Sequence, residues 1–165
     1  MARTSALDLL AKLMPSFLDL SAEITAFSTF ELKGSGQSAE FLDTVLSIVG
    51  VETVTGLLDT YAKIAAATKS GPEREERLRR DVFGDPTLGP VARNIVKMWF
   101  VGVWYQLPPA WSQMHGPRPG DHTHMVSANA YVQGLLWPAI GAHPPGAKAP
   151  GFGSWAGPPE IPEIR

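Results

Sequence analysis

No cysteine occurs in this chain of 165 residues. Disulfides, thiolate nucleophiles and iron–sulfur ligation by the chain itself are thereby excluded. Charge is also sparse: charged residues make up 18% of the sequence, against about 25% in an average globular protein. A surface with few charges leaves more of itself for another chain to cover. The charges nearly balance, with a formal net of −2, so the basic footprint of a nucleic-acid binder is missing. The longest apolar run, Met98 to Tyr105, is eight residues, far short of the roughly 20 that span a bilayer. Alternating strand patterns and internal repeats are lacking too, and the expected fold class is all-α. The opening MARTSALDLLAKLMPSF holds neither a twin-arginine pair nor an export-type apolar stretch. The expected location is therefore the cytoplasm, or the periplasm with a partner if a signal has been removed.

What is present is concentrated at the C-terminal end. Between Pro138 and Arg165 there are 28 residues, of which seven are Pro and five are Gly, together with Ile140, Phe152, Trp155, Ile161 and Ile164. Disordered linkers usually lack such apolar residues, while packed domains rarely tolerate so many prolines, each of which removes a backbone donor. An extended strip lying on its own surface or a partner's reconciles the two. The expected organisation is a helical domain over 1–137 and an extended tail over 138–165 that packs on its own core, a partner, or both.

About five or six helices are expected ahead of the tail. Ser5 to Leu13 reads as a short separate helix, and Pro15 as the first turn of the next, with Phe17, Leu20, Ile24 and Phe27 on one face. Gly34-Ser35-Gly36 breaks the chain. Ser38 then suits an N-cap before Phe41, Val45 and Ile48, and Gly50 a kink or stop. Val54, Leu57, Leu58, Tyr61 and Ile64 form the next apolar face. After Pro72 come three Glu-to-Arg pairs at i,i+4, Glu73–Arg77, Glu75–Arg79 and Glu76–Arg80, read as a solvated face. Asp85-Pro86 reads as an N-cap and first helical residue. Asn94 to Leu107 is apolar nearly all round, as in a helix contacted on every side by the tail or another protein. Ser127 is positioned to cap a last helix carrying Tyr131, Leu135 and Trp137, cut at Pro138.

Catalytic constellations are not evident. His115, His122 and His124 in a Gly/Pro loop outline a metal site without an H-E-x-x-H helix or cysteine, and loop packing is the favoured reading. The glycine pairs do not follow a strand, and no serine sits in a G-x-S-x-G elbow. The aromatics suit a core or interface better than a sugar-stacking cleft. The residues assigned to a partner interface are Trp99, Trp104, Tyr105, Trp111, Tyr131, Trp137, His143, Phe152 and Trp155. No catalytic, cofactor-binding or metal residue is assigned.

The segments MWFVGVWYQ, SANAYVQGLLWPAIGAHPPG and GFGSWAGPP, with FLDLSAEITAFSTFEL and FLDTVL near the start, give the chain a resemblance. It resembles the small subunit of bacterial FAD-dependent sugar and polyol dehydrogenases, a group that includes sorbitol, fructose and glucose dehydrogenases and the third subunit of gluconate dehydrogenase. The resemblance covers about Pro15 to Pro159. It implies a non-catalytic subunit needed for folding, stability and often export of a large flavoprotein of the glucose-methanol-choline type. FAD and substrate would then reside in that partner and no cofactor in this chain, with a cytochrome c subunit left open as a third member. The family commonly carries a twin-arginine signal and a tail cysteine near the position of Gly146-Ala147-Lys148-Ala149; this sequence has neither. The alternative reading is an independent binding or metal-dependent domain built on the His115/His122/His124 loop.

Overall fold

The computed structural model describes residues 2–148, and they form an all-α domain with one small strand pair. Helix α1 runs Ala2–Thr25, α2 Thr29–Gly34, α3 Ser38–Val49 and α4 Val51–Ala67. Helix α5, Pro72–Arg77, continues into a π-helical stretch, Leu78–Phe83, before α6, Leu88–Val101. The second half is built of shorter pieces: β1 Val103–Trp104, α7 Pro109–His115, β2 His124–Met125, α8 Ala128–Val132 and α9 Leu136–Ala139.

Pro15 lies inside α1 and does not start a helix, so the expected break after Leu13 is absent. An interior proline costs about 3 kcal/mol. Leu13, Phe17, Leu18 and Leu20 are all buried along α1, and each contributes about 1.5–3 kcal/mol. Burial on both sides of Pro15 therefore outweighs the break, and Pro15 itself faces solvent. The chain leaves α1 through Ala26, at φ 61°. It enters α2 through a capping box in which Ser28 and Glu31 satisfy each other's backbone amides.

Helices α3 and α4 follow the sequence expectation. Phe41, Val45 and Ile48 are buried on the first, and Val54, Leu57, Leu58, Tyr61 and Ile64 on the second. Gly50 separates them at φ 85°, and their axes bend by 118°. Gln37, with Ser38 the first helical residue, occupies the cap of α3. Among the described residues no single helix is long and apolar enough to cross a membrane.

Along α5 and the π-helical stretch that continues it, the Glu73–Arg77 and Glu75–Arg79 pairs form at 3.5 and 4.0 Å. The i→i+5 bonding of the π-helical stretch changes the side-chain register. Arg80 pairs instead with Asp81 at 2.7 Å. Arg74 also departs from the solvated-face reading: it turns inward to Glu23 at 2.9 Å and to the Thr68 carbonyl at 2.7 Å.

Helix α6 is the centre of the domain and packs against α1, α3, α4 and α8. It is not the expected all-round apolar helix over 94–107. Asp85 caps its entry, its Oδ1 accepting from the amides of Thr87 and Leu88 at 2.8 and 2.7 Å, but the helix itself starts at Leu88. It ends at Gly102, whose φ of 71° no helix continues. Arg93 and Lys97 are exposed, while Val91, Ala92, Asn94, Ile95, Met98 and Trp99 are buried. Beyond Gly102 the chain is extended, and β1 pairs antiparallel with β2, Trp104 opposite His124. Buried Asn94 ties this segment back: Nδ2 donates to the Tyr105 carbonyl at 2.7 Å, and the Tyr105 amide donates to Oδ1 at 3.1 Å.

Candidate partner interface

The structure divides the residues assigned to an interface. Trp99, Trp104 and Trp111 are each at most 1% exposed, so these three belong to the chain's own core and present no surface. Trp99 sits between Phe17 and Phe41, with ring centroids 6.3 and 4.9 Å away. Trp111 donates its indole N–H to the Thr87 carbonyl at 3.0 Å. Tyr105 is exposed, with the Lys97 ammonium 4.5 Å above its ring. Tyr131, Trp137 and His143 are half-buried. Phe152 and Trp155 lie outside the described residues.

Tyr131, Trp137 and His143 belong to one construction. Ser127 caps α8 as expected, accepting from the Ala130 amide at 3.1 Å. The chain then closes on α6: a Cβ on Gly134 would meet the Phe100 carbonyl oxygen at 2.6 Å, and the Leu135 amide donates to the Trp99 carbonyl at 2.9 Å. A side chain at 134 would push this segment off the helix. Pro138 does not cut a helix, as expected from sequence, but lies within α9. Trp137 packs edge-on against Tyr131 with centroids 5.5 Å apart and donates its indole N–H to the Tyr131 carbonyl at 2.9 Å. The Ala142 amide returns to the Trp137 carbonyl at 2.8 Å.

Between this segment and α2 lies a groove of about 440 Å³, walled by Phe27, Gly34, Leu135, Trp137 and His143 among others. Several of its polar groups are committed, while His143 Nδ1 is buried without a hydrogen-bond partner among the described residues. Lys148 Nζ donates to Gln133 Oε1 at 2.7 Å. Glu31 accepts from the Ser28 hydroxyl and amide at 2.7 and 2.8 Å, bonds that hold its carboxyl below the ordinary carboxylate pKa. Both walling elements also carry an exposed apolar side chain, Phe30 of α2 at 84% and Ile140 after α9 at 61% exposure. For Phe30 the only signal in the sequence is an aromatic at a non-periodic position of a short helix.

The histidines do not gather into one site. His115, on α7, shares a hydrogen bond with the Thr87 hydroxyl at 2.9 Å and lies 4.5 Å from the Trp111 ring. His122 and His124 form a separate pair with ring centroids 4.7 Å apart. Among the described residues no group of three His, Cys, Asp or Glu is placed to hold a metal ion. A second hollow, of about 700 Å³, lies between α1 and α4, lined by Ser16, Asp19, Glu23, Tyr61 and several alanines. Its Glu23 is already paired with Arg74. No protein-family model, curated protein or solved structure matches this chain.

Proposed function

We propose that the chain is a non-catalytic accessory subunit. It would bind and stabilise a large FAD-containing dehydrogenase of the glucose-methanol-choline type that oxidises a sugar, polyol or sugar acid. The observation that carries this reading is the groove between α2 and residues 132–148, together with two large apolar side chains exposed on the same two segments outside its lining, Phe30 and Ile140. Exposed apolar surface beside a preformed groove is characteristic of a protein contact. The resemblance of the sequence to the small dehydrogenase subunits supplies the identity of the partner. In this reading FAD and the substrate reside on the partner, and the subunit's compartment is the partner's. The surface used is Phe30, Tyr105, Tyr131, Trp137, His143 and Ile140, with the tail residues Phe152 and Trp155, and not the tryptophans of the core. The alternative of a three-histidine metal-dependent domain has less support, since among the described residues no group of three His, Cys, Asp or Glu is placed to hold one ion.

Co-expression with the flavoprotein tests the proposal. Phe30→Ser together with Ile140→Ser is expected to lower the yield of soluble, flavin-loaded partner several-fold, with the melting point of the subunit unchanged. Trp155→Ala, or deletion of residues 151–165, is expected to weaken the same assembly. A flavoprotein that is equally soluble and flavin-loaded without this chain would defeat the reading.

A further inference from the structure

His122 and His124 are held in a turn that is fastened to the core. The Asp121 amide donates to the Arg118 carbonyl at 3.1 Å and the His122 amide to the Gly120 carbonyl at 2.9 Å. Asp121 Oδ1 accepts from the buried Trp104 indole at 3.0 Å, and the Gln106 amide donates to Thr123 Oγ1 at 3.1 Å. His124 stands opposite Trp104 in the strand pair. Side chains two apart in an extended segment lie on the same face, and here the two imidazoles face each other with centroids 4.7 Å apart.

The tautomer of one ring is set by its partner. His124 Nδ1 lies 2.7 Å from the His122 carbonyl oxygen, which can only accept, so Nδ1 carries the proton. In the neutral ring the lone pair is then on Nε2, which has no partner among the described residues. Metal-binding histidines show this arrangement: one ring nitrogen donates to a backbone carbonyl and the other faces the ion. His122 is exposed, and its ring is free to turn. Two nitrogens sharing one ion, each about 2.1 Å from it, are at most about 4.2 Å apart, and rings with centroids 4.7 Å apart can turn their nitrogens to such a separation.

We infer that His122 and His124 form a two-imidazole clamp for a divalent ion of borderline softness, with Cu(II) held most tightly and Zn(II) less so. The remaining coordination positions stay open to water or an external ligand. Asp121 is not counted as a third ligand: its Oδ1 is committed to Trp104 and Leu107, and among the described residues no group of three His, Cys, Asp or Glu is placed to hold one ion. This departs from the expectation that the chain holds no metal. It is independent of the accessory-subunit reading, because it concerns the isolated chain.

Calorimetric titration of the untagged full chain with Cu(II), and separately Zn(II), in a non-coordinating buffer tests the inference. One Cu(II) per chain is expected, with nitrogen coordination visible by electron paramagnetic resonance. His122→Asn and His124→Asn should each weaken binding by at least about tenfold, the lower end of the loss seen even when only a ligand's hydrogen-bond partner is removed. The His115→Asn/His143→Asn double variant should bind as the parent does. Melting in chelator verifies that each variant is folded; if His124→Asn fails that check, the exposed His122→Asn decides. Parent-like binding by His122→Asn, or loss of binding in the His115/His143 double variant, overturns the clamp.

Discussion

Asp121 and Trp104 are joined by a hydrogen bond of 3.0 Å from the indole N–H to Oδ1, and the same oxygen accepts the Leu107 amide at 3.0 Å. Trp104 is fully buried, so one carboxylate oxygen satisfies two donors and anchors the 118–124 turn to the end of β1. Asp121→Ala leaves the indole N–H unpaired in the core, which costs about 1–3 kcal/mol. Asp121→Asn keeps an acceptor and is expected to lose clearly less. Denaturant melts of the two variants check the difference; equal losses would mean that the hydrogen bond contributes nothing specific.

Arg74 closes the gap between α1, α4 and α5. It bonds Glu23 at 2.9 Å, the Thr68 carbonyl at 2.7 Å and the Ala65 carbonyl at 3.3 Å, with the pair's side chains only 16% and 21% exposed. Arg74→Ala is expected to destabilise by about 1.5–3 kcal/mol, the range for hydrogen bonds to charged groups. Arg79→Ala, at an exposed pair on the same helix, should stay within about 0.5 kcal/mol. Chemical denaturation distinguishes the two positions.

Tyr61 links pH to stability. Burial, and secondly the Glu23 carboxylate beside it, push its hydroxyl pKa up, against an opposing pull from Arg74. A raised folded-state pKa gives stability that is complete below the unfolded pKa, about 10 for tyrosine. That stability is lost as pH climbs through the folded value. Tyr61→Phe should therefore flatten the alkaline limb of the stability–pH curve above about pH 10. An unchanged limb in the variant would assign the loss to other groups.

Two glycines should respond in opposite directions to alanine. At Gly102, φ is 71° and an added Cβ would lie 2.5 Å from the Ala130 carbonyl carbon. Both strain and collision oppose Gly102→Ala, and a loss of about 3 kcal/mol or more is expected. Gly56, inside α4, has nothing within 4 Å of its would-be Cβ, so Gly56→Ala should stabilise by about 0.5–1 kcal/mol. Thermal melts suffice to compare them.

The helical periods of α3 and α4 and the breaks at residues 34–36 and Gly50 were legible, because each is a local property. Apolar spacing of 3.6 residues selects a face whatever that face meets. The buried sets on α3 and α4 are those the spacing predicts. Ser127 as a cap was legible for the same reason. The candidate groove was less so: Tyr131, Trp137 and His143 lie in one stretch of sequence, whereas the α2 side of the groove meets that stretch only in the folded chain, where residues 134–135 close onto α6.

Composition and local spacing are enough to fix the all-α class, the absence of thiol chemistry and the inward faces of α3 and α4. Tertiary structure alone decided that Pro15 sits mid-helix, that Arg74 points inward, and that α6 stops at Gly102 with Trp99 and Trp104 in the core. In each case the deciding energy comes from neighbours distant in sequence. Leucines buried on both sides of Pro15 outweigh its missing hydrogen bond, and Glu23 meets Arg74 across 51 residues. An apolar stretch such as 94–107 states only that its side chains leave water. Whether they are covered by the same chain or by a partner depends on what folds over them, and here the chain itself covers the tryptophans.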